Sequence, residues 1–250
     1  HGIKNVVIGC VDDNEKVSGQ GIAKLKEAGC NVTVGVLENV CKEHHKRFFT
    51  FHNKKRPYII LKWAETADGF MASKQPTQKW ISNTLAKKLT HKWRTEEQAI
   101  LVGRKTAEID NPQLTARLWN GKQPLRIVID RNLSLNNSLN LFDGKEKTLV
   151  FTAEKTKNRQ NTVFQKLDFE QNILPQIMEY LYKQNIQSLI VEGGRQVLDS
   201  FIEAKLWDEA RIFVGSQSWG EGMAAPQLRN AAFVEEKNVD NNKLRFFRKE

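Results

Sequence analysis

The sequence predicts an α/β protein with a mostly parallel sheet, and three observations carry that expectation. Short apolar runs alternate with segments of helical spacing along most of the chain. Turns rich in charged residues or glycine follow four of the apolar runs, at residues 65–69, 103–112, 130–132 and 192–195. One of them, within residues 187–198 (QSLIVEGGRQVL), leads from an apolar strand through Glu192, Gly193 and Gly194 straight into a helix. Parallel strands present their carboxyl ends on one edge, so such turns converge on a single crevice.

In order, residues 6–10 (VVIGC) read as a buried strand, 21–28 as a helix closed by Gly29, and 32–36 (VTVGV) as a second strand. Helical spacing follows over 37–51. This opening β-α-β-α run is short for an independent domain and reads as the end of a larger one. The basic stretch 52–57 (HNKKRP) is the expected boundary, because Pro57 disfavours helix at Arg56 and the composition changes there. The expected units are residues 1–52 and 57–250.

Beyond the boundary, residues 58–64 (YIILKWA) form a strand that ends at an Asp-Gly turn, Asp68-Gly69. Ser82 is the expected N-cap of a helix through Arg94, with Leu85, Leu89 and Trp93 on one face. Strands are expected at 99–103, 125–130 and 148–152, with residues 104–107 opening the turn after the first of them. A helix over 172–182 places Ile173, Ile177 and Leu181 together and tolerates Pro175 in its first turn. It leads into the Ser188 strand, and the helix after Gly194 buries Val197, Leu198, Phe201 and Ile202. A strand at 207–214, a glycine-rich loop at 218–226 and a final strand at 244–247 complete the reading.

Composition narrows the function classes. Of 250 residues, 40% are hydrophobic and 27% charged, and no apolar run approaches the roughly 18 residues that span a bilayer. The first five residues show no secretory pattern, and three scattered cysteines, Cys10, Cys30 and Cys41, make neither a disulfide framework nor a zinc site, so a cytoplasmic location is expected. The 39 basic against 29 acidic residues give +10, which suits an anionic partner, either nucleic acid or a small phosphorylated molecule.

No nucleophile and base share a local signature, and none of the five histidines stands in H-E-x-x-H or beside paired cysteines. Chemistry done by an organic cofactor that the protein orients, such as hydride transfer, fits what remains. Gly193 and Gly194 allow close backbone approach to a ligand, and the start of the following helix favours phosphate. Arg94, Arg104 and Arg117 bracket the second turn with planar donor forks suited to phosphate, and Trp80 is placed to stack on a flat ring.

Four ordered blocks carry a resemblance: residues 56–69 (RPYIILKWAETADG), 78–82 (QKWIS), 100–117 (ILVGRKTAEIDNPQLTAR) and 190–194 (IVEGG). Together they resemble the reductase domain of the bifunctional riboflavin-biosynthesis deaminase/reductase family. That resemblance implies a dihydrofolate-reductase-like fold, NADPH as cofactor, and reduction of 5-amino-6-(5-phosphoribosylamino)uracil to the ribitylamino form. It implies NADPH contacts at Ala64, Trp80, Thr106, Asp110, Gly193 and Gly194, and substrate contacts at Gln78, Arg94, Leu114, Arg117 and Glu192. Arginine suits the ribose phosphate, and a carboxylate such as Glu192 suits the donor edge of a pyrimidine or a sugar hydroxyl. Lys62 and Asp68 are the candidate catalytic proton donors.

The front of the chain resembles only the closing part of the deaminase domain. Such a deaminase holds zinc through H-x-E and P-C-x-x-C, and neither occurs here, so no metal and no deamination are expected of this sequence. Arg104 departs from the small residue common after the glycine of that turn; it either reaches the NADPH 2′-phosphate or faces solvent. A homodimer is the expected assembly. Two rivals stand beside this reading: reduction of another pterin- or pyrimidine-like substrate on the same fold, and a basic nucleic-acid-binding module without a recognised motif.

Overall fold

A computed structural model describes residues 2–12, 17, 19–74 and 80–250. The chain divides into two compact units, one of His1–Tyr58 with Met178–Gln187 and the other of Ile59–Ile177 with Ser188–Glu250.

In the smaller unit, β1 (Asn5–Ile8) pairs in parallel with β2 (Asn31–Val34), Val6 beside Val32 and Ile8 beside Val34, and α1 (Gln20–Glu27) connects them. The apolar side chains of Ile3, ahead of β1, and Val7, within it, are each 66% exposed. The expected helix over 37–51 is two helices, α2 (Glu38–His44) and α3 (Lys46–Lys54), interrupted at His45, and the second continues into the basic stretch. Lys55, at φ 52°, ends it in the left-handed region, and the chain then extends through Pro57. Phe51 of α3 packs its ring against Tyr182, 4.7 Å between centroids.

The larger unit is built on nine strands. In chain order they are β3 (Tyr58–Glu65), β5 (Ala99–Gly103), β6 (Leu125–Ile129), β7 (Thr148–Thr152), β8 (Thr162–Lys166), β9 (Ser188–Val191), β10 (Glu209–Val214), β12 (Ala231–Val239) and β13 (Asn242–Lys249). Their order across the sheet is β12-β13-β10-β3-β9-β5-β6-β7-β8. The pairs β10–β3, β9–β5, β5–β6, β6–β7 and β7–β8 are parallel; β13 runs antiparallel to both β10 and β12. A separate two-stranded ribbon joins β4 (Phe70–Ala72) to β11 (Met223–Ala224). The helices are α4 (Thr84–Glu96), α5 (Arg104–Asp110), α6 (Ile173–Lys183), whose second half belongs to the smaller unit, and α7 (Arg195–Glu203). The expected α/β architecture, a mostly parallel sheet with flanking helices, is the one observed.

Central strands β5, β7, β9 and β10 are buried along their whole length, which is why they read as continuous apolar runs. On one face α4 lays Ala86, Thr90 and Trp93 inward, a spacing of four and three residues, and Trp93 stacks on Phe213 of β10 at 5.4 Å. The buried face differs from the expected one: Leu85 is 47% exposed, and Leu89 only flanks the core. Asn83, not Ser82, caps this helix, accepting from the Ala86 N–H at 2.8 Å. Buried Arg211 bonds Glu209 at 2.6 Å and lies over the Trp93 ring.

Four strands and one helix exceed the expectation. β12 is almost wholly exposed, with a bulge between Phe233 and Glu235, so no alternation marks it. Its two-residue turn into β13, Asp240-Asn241 with Asp240 at φ 56°, is the local signal that announces the hairpin. β8 sits at the opposite edge of the sheet, and β4 and β11 are too short to show periodicity. Helix α5 occupies what reads as a turn, because its N-cap, Gly103, offers no side-chain cap to recognise.

Candidate active site

The β9 strand delivers Glu192 to the carboxyl edge of the sheet, its N–H bonded to Leu101 O of β5 at 3.0 Å. The two glycines after it have different tasks. A Cβ on Gly193 would stand 2.5 Å from Val102 Cα, and one on Gly194, at φ 53°, would stand 2.9 Å from Thr106 Oγ1. The β9–α7 and β5–α5 turns therefore pack backbone against backbone, and only glycine permits it. A Cβ on Gly103 would likewise meet Val197 at 2.7 Å. Of the expected cofactor contacts, Thr106, Gly193 and Gly194 lie along this one seam, with backbone N–H groups at the start of α7 beside it.

Across the cleft, Arg94 of α4 grips Glu192 with two donors, Nη2 to Oε2 at 2.8 Å and Nε to Oε1 at 3.4 Å. Its remaining Nη1 donates to Thr115 O at 2.9 Å. Lys62 points from β3 into the same place, its ammonium 5.9 Å from the Phe213 ring centroid. Burial by itself pushes the Glu192 carboxyl up, but Arg94 and Lys62 together outweigh it and hold the group below the usual carboxylate range. Lys62 is pushed down, by burial first and by Arg94, with Glu192 opposing. A lysine tuned in this way gives up a proton more readily than a solvated one.

His91, one turn before Arg94, is 2% exposed. Its Nδ1 accepts the Leu118 N–H at 3.3 Å, leaving the ring proton on Nε2. Burial, then Arg94 and Arg117, lowers its pKa to about 4, so the ring is neutral at pH 7. It stands outside the expected site residues; its i, i+3 spacing to Arg94 is the signal that places both on one helix face.

The segment after α5 is pinned from all sides. Asn111, at φ 39°, ends the helix, and Asn140 bonds both its side chain and its carbonyl at 2.7 Å. Leu114 is only 2% exposed yet stands at φ 53°, an unfavourable conformation for a bulky residue that its surroundings must impose. Arg94 holds Thr115 O, Gln123 accepts from the Ala116 N–H at 2.7 Å, and buried Arg126 reaches Gln113 O at 3.5 Å and Asn140 O at 3.0 Å. The side chain of Leu114 belongs to the core.

The other expected site residues are distributed as follows. Ala64 is two residues beyond Lys62 on the same face of β3, beside Phe213. Trp80 is 62% exposed, with Lys87 Nζ 4.2 Å from its ring centroid. Asp110 and Arg117 are exposed. Arg104 bonds Glu108 at 2.6 Å on the surface of α5. Gln78 lies outside the described residues. Asp68 bonds its neighbours instead of presenting a free carboxyl: it accepts from Thr66 Oγ1 at 2.5 Å, from the Trp219 N–H at 2.9 Å and from the Gly220 N–H at 2.7 Å. The Thr66 bond first, and the Gly220 bond next, hold it below the usual range. The fourth expected turn belongs elsewhere: Asp130 is buried and accepts from Ser134 and from the Leu135 N–H. Among the described residues, no group of three His, Cys, Asp or Glu is placed to hold a metal ion.

Residues 57–246 match the family model described as the RibD C-terminal domain. The riboflavin biosynthesis protein RibD of Aquifex aeolicus is 36% identical over 248 residues, covering 97% of this chain and 70% of that protein. The corresponding protein of Bacillus amyloliquefaciens is 34% identical, covering 95% and 67%. Among solved structures, a diaminohydroxyphosphoribosylaminopyrimidine deaminase/5-amino-6-(5-phosphoribosylamino)uracil reductase from Thermotoga maritima superimposes with a TM-score of 0.90 at 33% identity, over 100% of this chain and 72% of that one.

Proposed function

The chain belongs to the RibD C-terminal domain family, the reductase of riboflavin biosynthesis, and we propose that it reduces 5-amino-6-(5-phosphoribosylamino)uracil to the ribitylamino compound with NADPH. The observation that carries the proposal is the meeting of Lys62, Glu192 and Arg94 beside the Gly193-Gly194 seam. A nicotinamide dinucleotide fits that seam, where adjoining turns expose backbone donors and glycine admits a close approach. When bound, NADPH supplies a hydride to C1 of the opened ribose, at its imine or aldehyde carbon.

The residues of the chain do the rest. Glu192, kept ionised by Arg94, accepts hydrogen bonds from the pyrimidine edge or a sugar hydroxyl. Lys62 holds the proton that the reduced nitrogen or oxygen must receive as C1 takes the hydride. Asp68 is the weaker candidate for that proton, because its lone pairs are occupied and its carboxyl stays ionised; it fixes the Trp219-Gly220 turn instead. Ala64, Thr106 and Asp110 line the cofactor side, and the Leu114 and Arg117 segment the substrate side.

On this reading residues 1–52 are the closing portion of a deaminase-type domain and the remainder from 57 is the reductase, acting as a cytoplasmic homodimer. Among the described residues no helix is long and apolar enough to cross a membrane. Substrate-dependent consumption of NADPH tests the reaction, and the same assay with other pterins and pyrimidines tests the substrate.

A further inference from the structure

The Arg126 side chain, on β6, is 1% exposed, yet its guanidinium is fully bonded. Nε donates to Thr148 Oγ1 at 3.0 Å, and Nη2 to Asp143 Oδ1 at 3.0 Å and to Glu146 O at 2.7 Å. Nη1 donates to Asn140 O at 3.0 Å and, more weakly, to Gln113 O at 3.5 Å. All five donors of the fork are thus used, and they tie residue 113 to residues 140–148. Stability alone is a weak reason for such a group, because well-packed apolar residues commonly serve a core as well as a buried ion pair does. What arginine adds is reach in several fixed directions at once.

Those directions converge on the segment after α5. Arg126 holds Asn140, and Asn140 in turn bonds Asn111 twice, N–H to Oδ1 and Nδ2 to the carbonyl, both at 2.7 Å. The weaker arm reaches Gln113 itself. Around these holds stand two non-glycine residues of positive φ, Asn111 at 39° and Leu114 at 53°. Asparagine adopts that conformation readily; leucine does so only where its surroundings impose it. Val128, two residues along β6 from Arg126 and on the same face, shares a core cluster with Leu114 and Leu141. The carbonyl that follows Leu114, Thr115 O, accepts from Arg94 Nη1 at 2.9 Å, and Arg94 grips Glu192. A continuous path therefore runs from Arg126 through residues 111–115 and Arg94 to Glu192.

We infer that Arg126 is a positioning residue of the reductase: it holds residues 111–115 in the left-handed path that delivers the Thr115 carbonyl to Arg94, and through Arg94 it sets Glu192. This inference rests on the proposed reaction, which gives Glu192 its task. Glu192 is faced by Arg94 and His91 from α4 and by Lys62 from β3. Lysine at position 126 keeps a cation beside Asp143 but has no fork, so it cannot also hold the Asn140 and Gln113 carbonyls. Residues 111–115 then relax at Leu114, the Thr115 carbonyl leaves Arg94, and Glu192 loses part of its fixed counter-charge. A carboxylate so released takes its proton at higher pH, and the acid limb of activity follows it.

The test is the pH profile of kcat/KM for the full chain and its Arg126→Lys and Asp143→Asn variants, with thermal unfolding of each. In Arg126→Lys the acid limb is expected to rise by about one pH unit, with kcat/KM at pH 7 lower by about tenfold. Asp143→Asn removes the charge partner but leaves the bonds to Asn140 and Gln113, so it lowers stability and keeps the acid limb in place. An unchanged limb in folded Arg126→Lys overturns the inference, as does an equal displacement in Asp143→Asn. Should Arg126→Lys not fold, Asn140→Ala cuts the stronger arm; its limb moves the same way if the inference holds and stays if it is wrong. If the parent turns over no substrate, the proposed reaction fails by itself. Carbon-13 NMR titration of the Glu192 carboxyl, assigned by its absence in Glu192→Gln, then decides the inference: a higher midpoint in Arg126→Lys upholds it, and an identical one rejects it.

Discussion

Arg94 and Glu192, ninety-eight positions apart, form one buried ion pair at 2.8 Å, with side chains only 11% and 8% exposed. The pair joins α4 to the end of β9 and fixes which carboxylate oxygens face the cleft. Removing one partner strands a buried charge, which typically costs about 3–5 kcal/mol. Arg94→Ala is therefore expected to lower thermal stability and abolish turnover. Glu192→Gln strands the Arg94 charge in turn, but its amide oxygen still accepts from the guanidinium, so a smaller loss of stability is expected, with a reduced kcat. Equal stability losses in the two variants, measured by thermal unfolding, contradict this assignment.

His91 gives a pH signature with a definite sign. Its folded pKa, about 4, lies below the ordinary 6.5 through burial and the neighbouring Arg94, Arg117 and Lys87, against the opposing Glu192. As pH falls through that interval the unfolded chain takes a proton that the folded chain refuses. Folding stability then declines by up to about 3 kcal/mol, all of it lost once pH is below the folded value. Asparagine keeps an acceptor for the Leu118 N–H and does not titrate. Denaturant titrations of the parent and His91→Asn should diverge between pH 6.5 and 4; parallel profiles refute the argument.

The same substitution at two glycines is expected to act with opposite signs. Gly193→Ala drives a Cβ to 2.5 Å from Val102 Cα, where backbone must give way, so the β5–β9 edge is displaced and cofactor affinity falls. Gly21→Ala, inside α1 with nothing within 4 Å of the new Cβ, should stabilise its helix by about 0.5–1 kcal/mol. Circular dichroism melts and cofactor titration of both variants check the contrast.

Asp68 joins two turns that lie far apart in sequence. With Asp68→Ala the Trp219 and Gly220 N–H groups lose their acceptor, and the ribbon of β4 and β11 loses its anchor. Faster proteolysis within residues 217–224 and a raised KM are expected, while a proteolytic pattern unchanged from the parent speaks against the anchoring role.

What the sequence discloses and what it hides follow from the range of the interactions. The strand, acid, double glycine and helix of residues 188–203 are local features, so the turn and its ligand-facing edge are legible in the residues themselves. Parallel pairing follows from the alternation of elements, and with it the convergence of turns on one edge. The ion pair of Arg94 is hidden, because its partners are Glu192, ninety-eight positions away, and the Thr115 carbonyl. Leu114 reads as a contact without its left-handed backbone, since only glycine advertises positive φ. Edge strand β12 escapes because exposure on both faces removes alternation, and the N-cap shifts from Ser82 to Asn83 because adjacent residues of equal capping ability are separated only by backbone geometry.

Lys62, Glu192 and Arg94 stand at the centre of the proposed reductase site. The most direct measurement of their role is NADPH consumption by the purified chain with 5-amino-6-(5-phosphoribosylamino)uracil, followed by the absorbance of the reduced nicotinamide and run in parallel on Lys62→Met and Glu192→Gln. Substrate-dependent oxidation by the parent is expected, with a loss of kcat of about a hundredfold or more in Lys62→Met, since a positioned proton donor contributes about that much. Turnover in Lys62→Met equal to that of the parent contradicts the assignment.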